Sequence, residues 1–306
     1  MAKHLVIGSR GSRLALWQAE WARKGLLERR SDLTVEIQVI RTKGDRISNA
    51  PFSTIGGKGV FTKEIDEALL DGRVDLAVHS LKDLPTELPE GLEIGAVSSR
   101  ADVRDALVSR KGENLTELKE GARVGTSSLR RQAQLLNIRP DLRIEGVRGN
   151  VERRIDSLEA KDLDAVVLAA AGLERLGLRD RISEYLAADR ILPAPGQGAM
   201  AVTVRSRESG VEEIVSDLED KTSRGAVTAE RSMLRALEGG CQVPIGAWAR
   251  EEGSGMVLDG LVALPDGSRV VQGQTEGVAS ASEALGQVLA DQLLSDGAGE
   301  ILKSLR

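Results

Sequence analysis

Apolar and polar positions follow two rhythms along roughly the first hundred residues. "HLVIGS" and "TVEIQVIRT" carry the dense, β-branched pattern of strands, while "RLALWQAEWARKGLLERR" between them repeats its apolar residues at helical spacing. The glycine-rich "STIGGKGVF" leads into a predicted helix, "TKEIDEALLDG", with Thr62 as its N-cap and Gly72 as its stop. "VDLAVHS" reads as a short strand of almost continuous apolar character, and "LEIGAVS" follows the turn-rich "LPTELPEG". Apolar strands alternating with helices predict an α/β sheet covered on both faces.

The pattern restarts after about residue 100. "ARVGTSS" is a strand entering the helix "LRRQAQLLNI", "LRIEGVRG" a strand, "VERRIDSLEAK" a helix, and "LDAVVLAAAGLERLG" a strand running into a helix. There is an internal echo. "VIGSRGSRLAL" and "RVGTSSLRRQAQL" both run strand, glycine, hydroxyl residue, basic residue, helix, and "GRVDLAVHS" and "KDLDAVVLA" both place an aspartate before a buried strand. Two similar lobes explain both likenesses, although ordinary βαβ connections produce such patterns without duplication. "ILPAPGQG" breaks both rhythms and predicts a crossing segment, after which "AMAVTVRS" is a strand returning to the first lobe. From about residue 220 the order changes to one helix, three strand-like runs ("IGAWARE", "GMVLDGLVAL", "RVVQGQT") and two closing helical stretches. The expected organisation is a first α/β lobe over 1–98 with 199–216, a second over 102–192, and a small α+β domain over 220–306.

Composition narrows the chemistry. The 306 residues carry a net charge of −5, and the aromatics are limited to three Trp, two Phe and one Tyr. That combination argues against a nucleic-acid or acidic-membrane partner, which needs a basic surface or stacking platforms. One cysteine and two histidines exclude an intrachain disulfide framework and argue against a metal cluster. The start has no apolar core of a secretion signal, and nowhere do 18 uncharged apolar residues run together, so a cytoplasmic location is expected.

Charge is concentrated in one block. Residues 123–154 hold eight arginines and no lysine against Asp141, Glu145 and Glu152, a local balance of +5 in an acidic protein. A solvated face with incidental ion pairs would look the same in composition. Position favours a binding role: Arg130 and Arg131 open a helix after "GTSS", Arg148 stands at a strand end, and Arg153 and Arg154 lie early in the next helix. Anions are favoured at helix starts, and ligands of open α/β sheets bind beyond the carboxyl ends of the strands. Arg10 and Ser12 occupy the matching place in the first lobe, and "STIGGKGVF" adds Lys58 and backbone donors without forming a P-loop. Guanidinium groups hold carboxylates through paired hydrogen bonds, so the expected ligand carries several carboxylates or phosphates.

Two further places carry chemistry. In "AVHSLKDLP", Asp83 follows a buried strand beside Lys82; it either caps a turn before Pro85 or presents a carboxylate that stabilises a cation and moves a proton. His79, inside the strand, reads as a packed, hydrogen-bonded histidine. Cys241, in "LEGGCQVPIGAWA", is presented by a Gly-Gly turn before Pro244, which leaves packing, nucleophile and covalent anchor all open.

The motifs together resemble a known family. "IGSRGSRLAL", "IRTKGD", "GGKGVFTKEI", "AVHSLKDLP", "GTSSLRRQAQL", "RGNVERR", "LPAPGQGA" and "GGCQVPIG" occur in this order, and the chain resembles the porphobilinogen deaminase (hydroxymethylbilane synthase) family over essentially its whole length. The resemblance implies two lobes similar to each other and to periplasmic-type binding proteins, plus a third domain. It implies an enzyme that joins four porphobilinogen molecules head to tail, releasing ammonia at each addition, and hydrolyses the product to hydroxymethylbilane. It implies a dipyrromethane cofactor joined to Cys241 by a thioether, from whose free end the substrate chain grows. Each pyrrole bears an acetate and a propionate, which suits the arginines. By motif matching, Arg10, Arg130, Arg131, Arg148 and Arg154 are implied as carboxylate clamps, Ser12, Lys58, Thr126, Ser127, Ser128 and Arg175 as supporting contacts, and Asp83 as the group that stabilises the pyrrole N–H and the azafulvene cation left when ammonia departs, with Lys82 tuning it. A monomer is expected, because one chain supplies cleft, acid and anchor. A Cys-dependent transferase with no permanent cofactor and a polycarboxylate-binding protein are the rival readings.

Overall fold

The computed structural model describes residues 3–42, 62–206, 209–237 and 243–305. The chain divides into two compact units, Met1–Arg100 with Ala199–Arg224, and Ala101–Gly198 with Gly225–Arg306.

In the first unit, β1 (Lys3–Ser9), α1 (Arg13–Arg29), β2 (Leu33–Val39), α2 (Lys63–Leu70), β3 (Leu76–Ser80) and β4 (Leu92–Val97) follow in sequence. In the second, β5 (Asp105–Ser109), β6 (Arg123–Gly125), α3 (Leu129–Ile138), β7 (Arg143–Glu145), α4 (Val151–Ala160), β8 (Ala165–Ala169), α5 (Ala170–Arg175) and β9 (Glu184–Leu186) form a second α/β lobe. The chain then returns to the first unit through β10 (Met200–Arg205) and α6 (Ser209–Val215). The two five-stranded sheets have one topology, β2-β1-β3-β10-β4 and β7-β6-β8-β5-β9. In each, the second strand of this order (β1 or β6) pairs in parallel with both neighbours, and the third (β3 or β8) pairs antiparallel with the strand that follows a crossing, β10 or β5.

Both sheets are apolar on both faces, as the unbroken apolar strand patterns predict. Val78 and Val202 pack with Ala19, Ala22 and Leu26 of α1, whereas Ala77 faces Ile65 and Leu69 of α2. In the second lobe Leu107 and Val167 pack with Leu135 of α3, while Ala106, Val108 and Leu168 pack with Ile155 and Leu158 of α4. Successive strand residues go to opposite cores, as a period of two requires. The internal echo extends to hydrogen bonds. Asp75 uses its own N–H and its carboxylate to clasp Val6, at 2.8 and 2.7 Å, and Asp164 clasps Arg123 in the same way at 2.9 and 2.8 Å.

The smaller α+β part holds α7 (Lys221–Ala236), then the antiparallel sheet β11 (Ile245–Glu252), β12 (Gly255–Ala263) and β13 (Val270–Gly277), then α8 (Ser282–Leu293) and α9 (Gly299–Ser304). Ala229 and Met233 of α7 and Leu289 and Leu293 of α8 cover one sheet face. On the other face Leu261 and Ala263 meet Ala133 and Leu192 of the second lobe. The approach is close: a Cβ on Gly246 would lie 2.8 Å from the Leu192 Cβ, and Ala247 N–H donates to Pro193 O at 3.0 Å. Gly198 has φ +90°, and a Cβ there would lie 2.5 Å from Ala101 O, so this bend of the crossing segment requires glycine.

Three expectations change. Thr62 precedes α2 but makes no side-chain capping hydrogen bond; its backbone is in αR rather than the extended conformation from which N-cap side chains usually reach the first-turn N–H groups. β5 and β9 were not foreseen. Nor was α6, whose glycine and acidic residues obscure its apolar face. No helix among the described residues is long and apolar enough to cross a membrane.

Candidate active site

In the first unit the parallel pairing of β1 and β3 brings their carboxyl ends to one sheet edge. Arg10 leaves β1 there, and Ser12 caps α1, its Oγ accepting from Ala15 N–H at 3.3 Å. The hydroxyl that sequence matching suggests as a ligand contact therefore also closes the helix start. From β3 the chain makes a 3₁₀ turn, Leu81–Asp83. Leu81 is fully buried and its N–H donates to Ala199 O at 3.1 Å, while Ser80 Oγ accepts from Gln18 Nε2 at 2.8 Å. With Leu81 pinned inward, the next two side chains turn outward: Lys82 is half-buried and Asp83 exposed. Asp83 is thus a presented carboxylate rather than one consumed by local capping.

His79 is buried as expected, but its Nε2 has no hydrogen-bond partner among the described residues, which corrects the expectation of a hydrogen-bonded ring. Burial, with the nearby Arg10 cation, pushes its pKa down to about 4. An unfolded chain protonates this ring near 6.5, the folded one only near 4. The contribution to stability is therefore complete above 6.5, declines as pH falls through the window, and is level below it. About 2 kcal/mol of unfolding free energy should be lost between pH 7 and pH 5 from this ring alone. In His79→Gln, denaturant titrations over that range should be correspondingly flatter; a slope equal to the wild type's would remove this assignment.

In the second unit β6, β7 and β8 are parallel neighbours, and their carboxyl ends form the matching edge. The two loops there are tied together: Thr126 N–H donates to Glu145 O at 2.8 Å and Ser127 Oγ to Val147 O at 2.7 Å. Thr126 is buried, and its Oγ1 accepts from Ser128 N–H at 3.2 Å. Ser128 caps α3 through Arg131 N–H, and Asn150 caps α4 through Arg153 N–H. Arg154 donates from Nε to Gly149 O at 2.9 Å, and Lys161 Nζ to Gly146 O at 2.7 Å, which fixes the loop bearing Arg148. Arg175, at the end of α5, is half-buried and donates to Gly198 O at 2.7 Å; burial pushes its guanidinium down to about 10, so it stays cationic at neutral pH.

Arg130 and Arg131 do not stand in solvent. Both are buried, and both bind one carboxylate, that of Asp105: Arg130 Nη1 at 2.8 Å and Arg131 Nη2 at 2.7 Å. Arg130 also donates to Leu192 O and Arg131 to Val167 O, while Gln197 Nε2 reaches Asp105 at 2.9 Å. The Nε atoms of both arginines are buried and have no partner among the described residues. Burial raises the Asp105 carboxyl, yet the two guanidiniums overcome it and hold the carboxyl well below its usual range. Two cations for one anion, with two unused donors, is a donor set that fits a further carboxylate.

Sequence reading missed Asp105 and also Glu230. Glu230 is fully buried on α7 and accepts from Gly196 N–H at 2.6 Å and Ala249 N–H at 2.8 Å, so it joins the crossing segment to β11. An aspartate opening an apolar run was the available signal for Asp105, since Asp75 and Asp164 share it. Lys58 and Cys241 lie outside the described residues.

Comparison with known proteins bears on the whole chain. Residues 5–213 match the family model described as porphobilinogen deaminase, dipyromethane cofactor binding domain, and residues 225–295 match porphobilinogen deaminase, C-terminal domain. The porphobilinogen deaminase of Pelotomaculum thermopropionicum is 51% identical over 306 residues, covering 100% of this chain and 98% of the relative. That of Geotalea uraniireducens is 50% identical over 300 residues, covering 98% and 94%. Among solved structures, the L-cystine solute receptor of Neisseria gonorrhoeae aligns with a TM-score of 0.40 at 13% identity, over 70% of this chain and 85% of that one.

Proposed function

The chain belongs to the porphobilinogen deaminase family, and from that premise we propose how its own residues carry the reaction. It is an enzyme, a transferase of tetrapyrrole biosynthesis that converts porphobilinogen to a hydroxymethylbilane-type product. At each addition the carbon–nitrogen bond of an aminomethyl group breaks and ammonia leaves, a carbon–carbon bond forms to the α-carbon of the attacking pyrrole, and that attacking ring gives up its α-proton.

Asp83 is the group proposed to act on the reacting ring. The supporting observation is its exposure at the end of β3, beside the half-buried Lys82 and on the sheet edge that also carries Arg10 and Ser12. A fixed carboxylate there accepts the pyrrole N–H, stabilises the cation left by ammonia and takes up the proton released on coupling. Lys82, next in the chain, places a cation beside that carboxylate. Arg10, Arg130, Arg131, Arg148, Arg154 and Arg175 hold acetate and propionate groups of the pyrrole chain, with Ser12, Lys58, Thr126, Ser127 and Ser128 in support.

The family's dipyrromethane cofactor fits this arginine-rich donor set, because each of its rings bears carboxylates. When bound, it supplies the pyrrole end that substrate extends. Cys241 is proposed as its thioether anchor, the first lobe as 1–98 with 199–216, the second as 102–192, and the anchor-bearing domain as 220–306, in a chain that works as a cytoplasmic monomer.

The test is stoichiometric. Purified protein given porphobilinogen should release four ammonia molecules for each linear tetrapyrrole formed. A polycarboxylate-binding protein would release none, and release without a tetrapyrrole would contradict the polymerising role.

A further inference from the structure

Asp105, Arg130 and Arg131 form a buried cluster whose charges do not balance. Asp105 is fully buried and each arginine is 5% exposed, yet the only carboxylate either guanidinium meets among the described residues is Asp105. Two like charges side by side in a low-dielectric interior repel strongly, and an uncompensated buried ion is costly. Burial and the neighbouring Arg131 both lower the Arg130 pKa, and Asp105 opposes them. The frame around the cluster is neutral: Leu192 O, Val167 O and the Gln197 amide. The unused donors are Nε of Arg130 and Nε of Arg131.

We propose that Asp105 is a positioning residue for ligand binding: it neutralises one of two buried guanidiniums, fixes both, and leaves a single positive charge for one carboxylate of the bound pyrrole chain. This rests on the reading of Arg130 and Arg131 as carboxylate contacts. Asp105 itself touches no ligand. Its effect passes through the arginines, which gives it a signature that a packing role lacks.

The experiment uses full-length protein produced without porphobilinogen and then exposed to it, with intact mass reporting the fraction of chain that acquires a pyrrole adduct. Arg131→Gln leaves Arg130 and Asp105 as a balanced pair, so the porphobilinogen concentration for half-maximal loading should rise about tenfold or more, the loss of one charge-assisted contact. Adding Asp105→Asn to Arg131→Gln restores the single positive charge, and about threefold or more of that loss should be recovered. Removing a merely structural carboxylate would worsen loading, so a double variant equal to or poorer than Arg131→Gln overturns the inference. Should the double variant not fold, Asp105→Asn alone carries the test. Its cluster holds two unbalanced charges, so its thermal midpoint should rise more on loading than the wild type's; an equal or smaller rise overturns the inference. A wild type that acquires no adduct would overturn the underlying reading as well, whereas normal wild-type loading with no recovery in the double variant overturns this inference alone.

Discussion

Asp83→Asn should leave the protein folded and able to bear its pyrrole adduct, and should slow each pyrrole addition by roughly 10²–10⁴-fold. The substitution keeps size and shape while removing the charge that stabilises a developing cation and the base that accepts a proton. Because Asp83 is exposed and the fully buried Leu81 holds the turn, little stability is at stake; changes at such positions usually stay within about 0.5 kcal/mol. Rapid mixing with porphobilinogen, with the oligomers resolved by mass, separates adduct retention from elongation. Elongation near the wild-type rate would remove Asp83 from the reacting centre. Loss of adduct and elongation together would make it a binding residue only.

Cys241→Ser should abolish both the adduct and the activity. A thiol with an ordinary pKa near 8.5 supplies some thiolate at neutral pH, and a serine hydroxyl supplies almost no alkoxide, so a stable bond to carbon no longer forms. The described residues on either side of Cys241 are themselves hydrogen-bonded into the fold. Leu237 closes α7, its N–H donating to Met233 O at 3.0 Å, and Ile245 N–H donates to Val243 O at 2.8 Å where β11 begins. Glu230, on the same helix, binds both the crossing segment and β11. The comparison to make is the mass of Cys241→Ser with that of wild type, each incubated with porphobilinogen; an adduct of equal mass on the serine variant would place the attachment elsewhere.

Local features were legible in the sequence and long-range ones were not. The helices Arg13–Arg29, Leu129–Ile138 and Val151–Ala160 follow directly from apolar spacing and hydroxyl or amide caps. The repeat was visible in Asp75 and Asp164 because their role is local: each clasps the strand that pairs beside its own. β5 was missed because "DALVS" is short and begins with a charge, and that charge proves to be Asp105. Sequence spacing also presents Arg130 and Arg131 as outward donors at a helix start. Their shared counter-ion lies 25 and 26 residues earlier in the chain, and no periodicity links the two places. The same limit applies to Glu230, whose partners are 34 residues before it and 19 after it. Its charge on an otherwise apolar helix face was the one available hint. Residue type thus marked where cations concentrate, and the internal ion pairing that sets their net charge required the fold.

The central claim is that the chain carries a covalent pyrrole cofactor on Cys241 and extends it. Intact mass of the purified, undigested wild-type protein, followed by peptide mapping, tests this most directly. An excess equal to two linked pyrrole units, located on the peptide containing Cys241, is the predicted result. A bare chain that stays bare after incubation with porphobilinogen would contradict it.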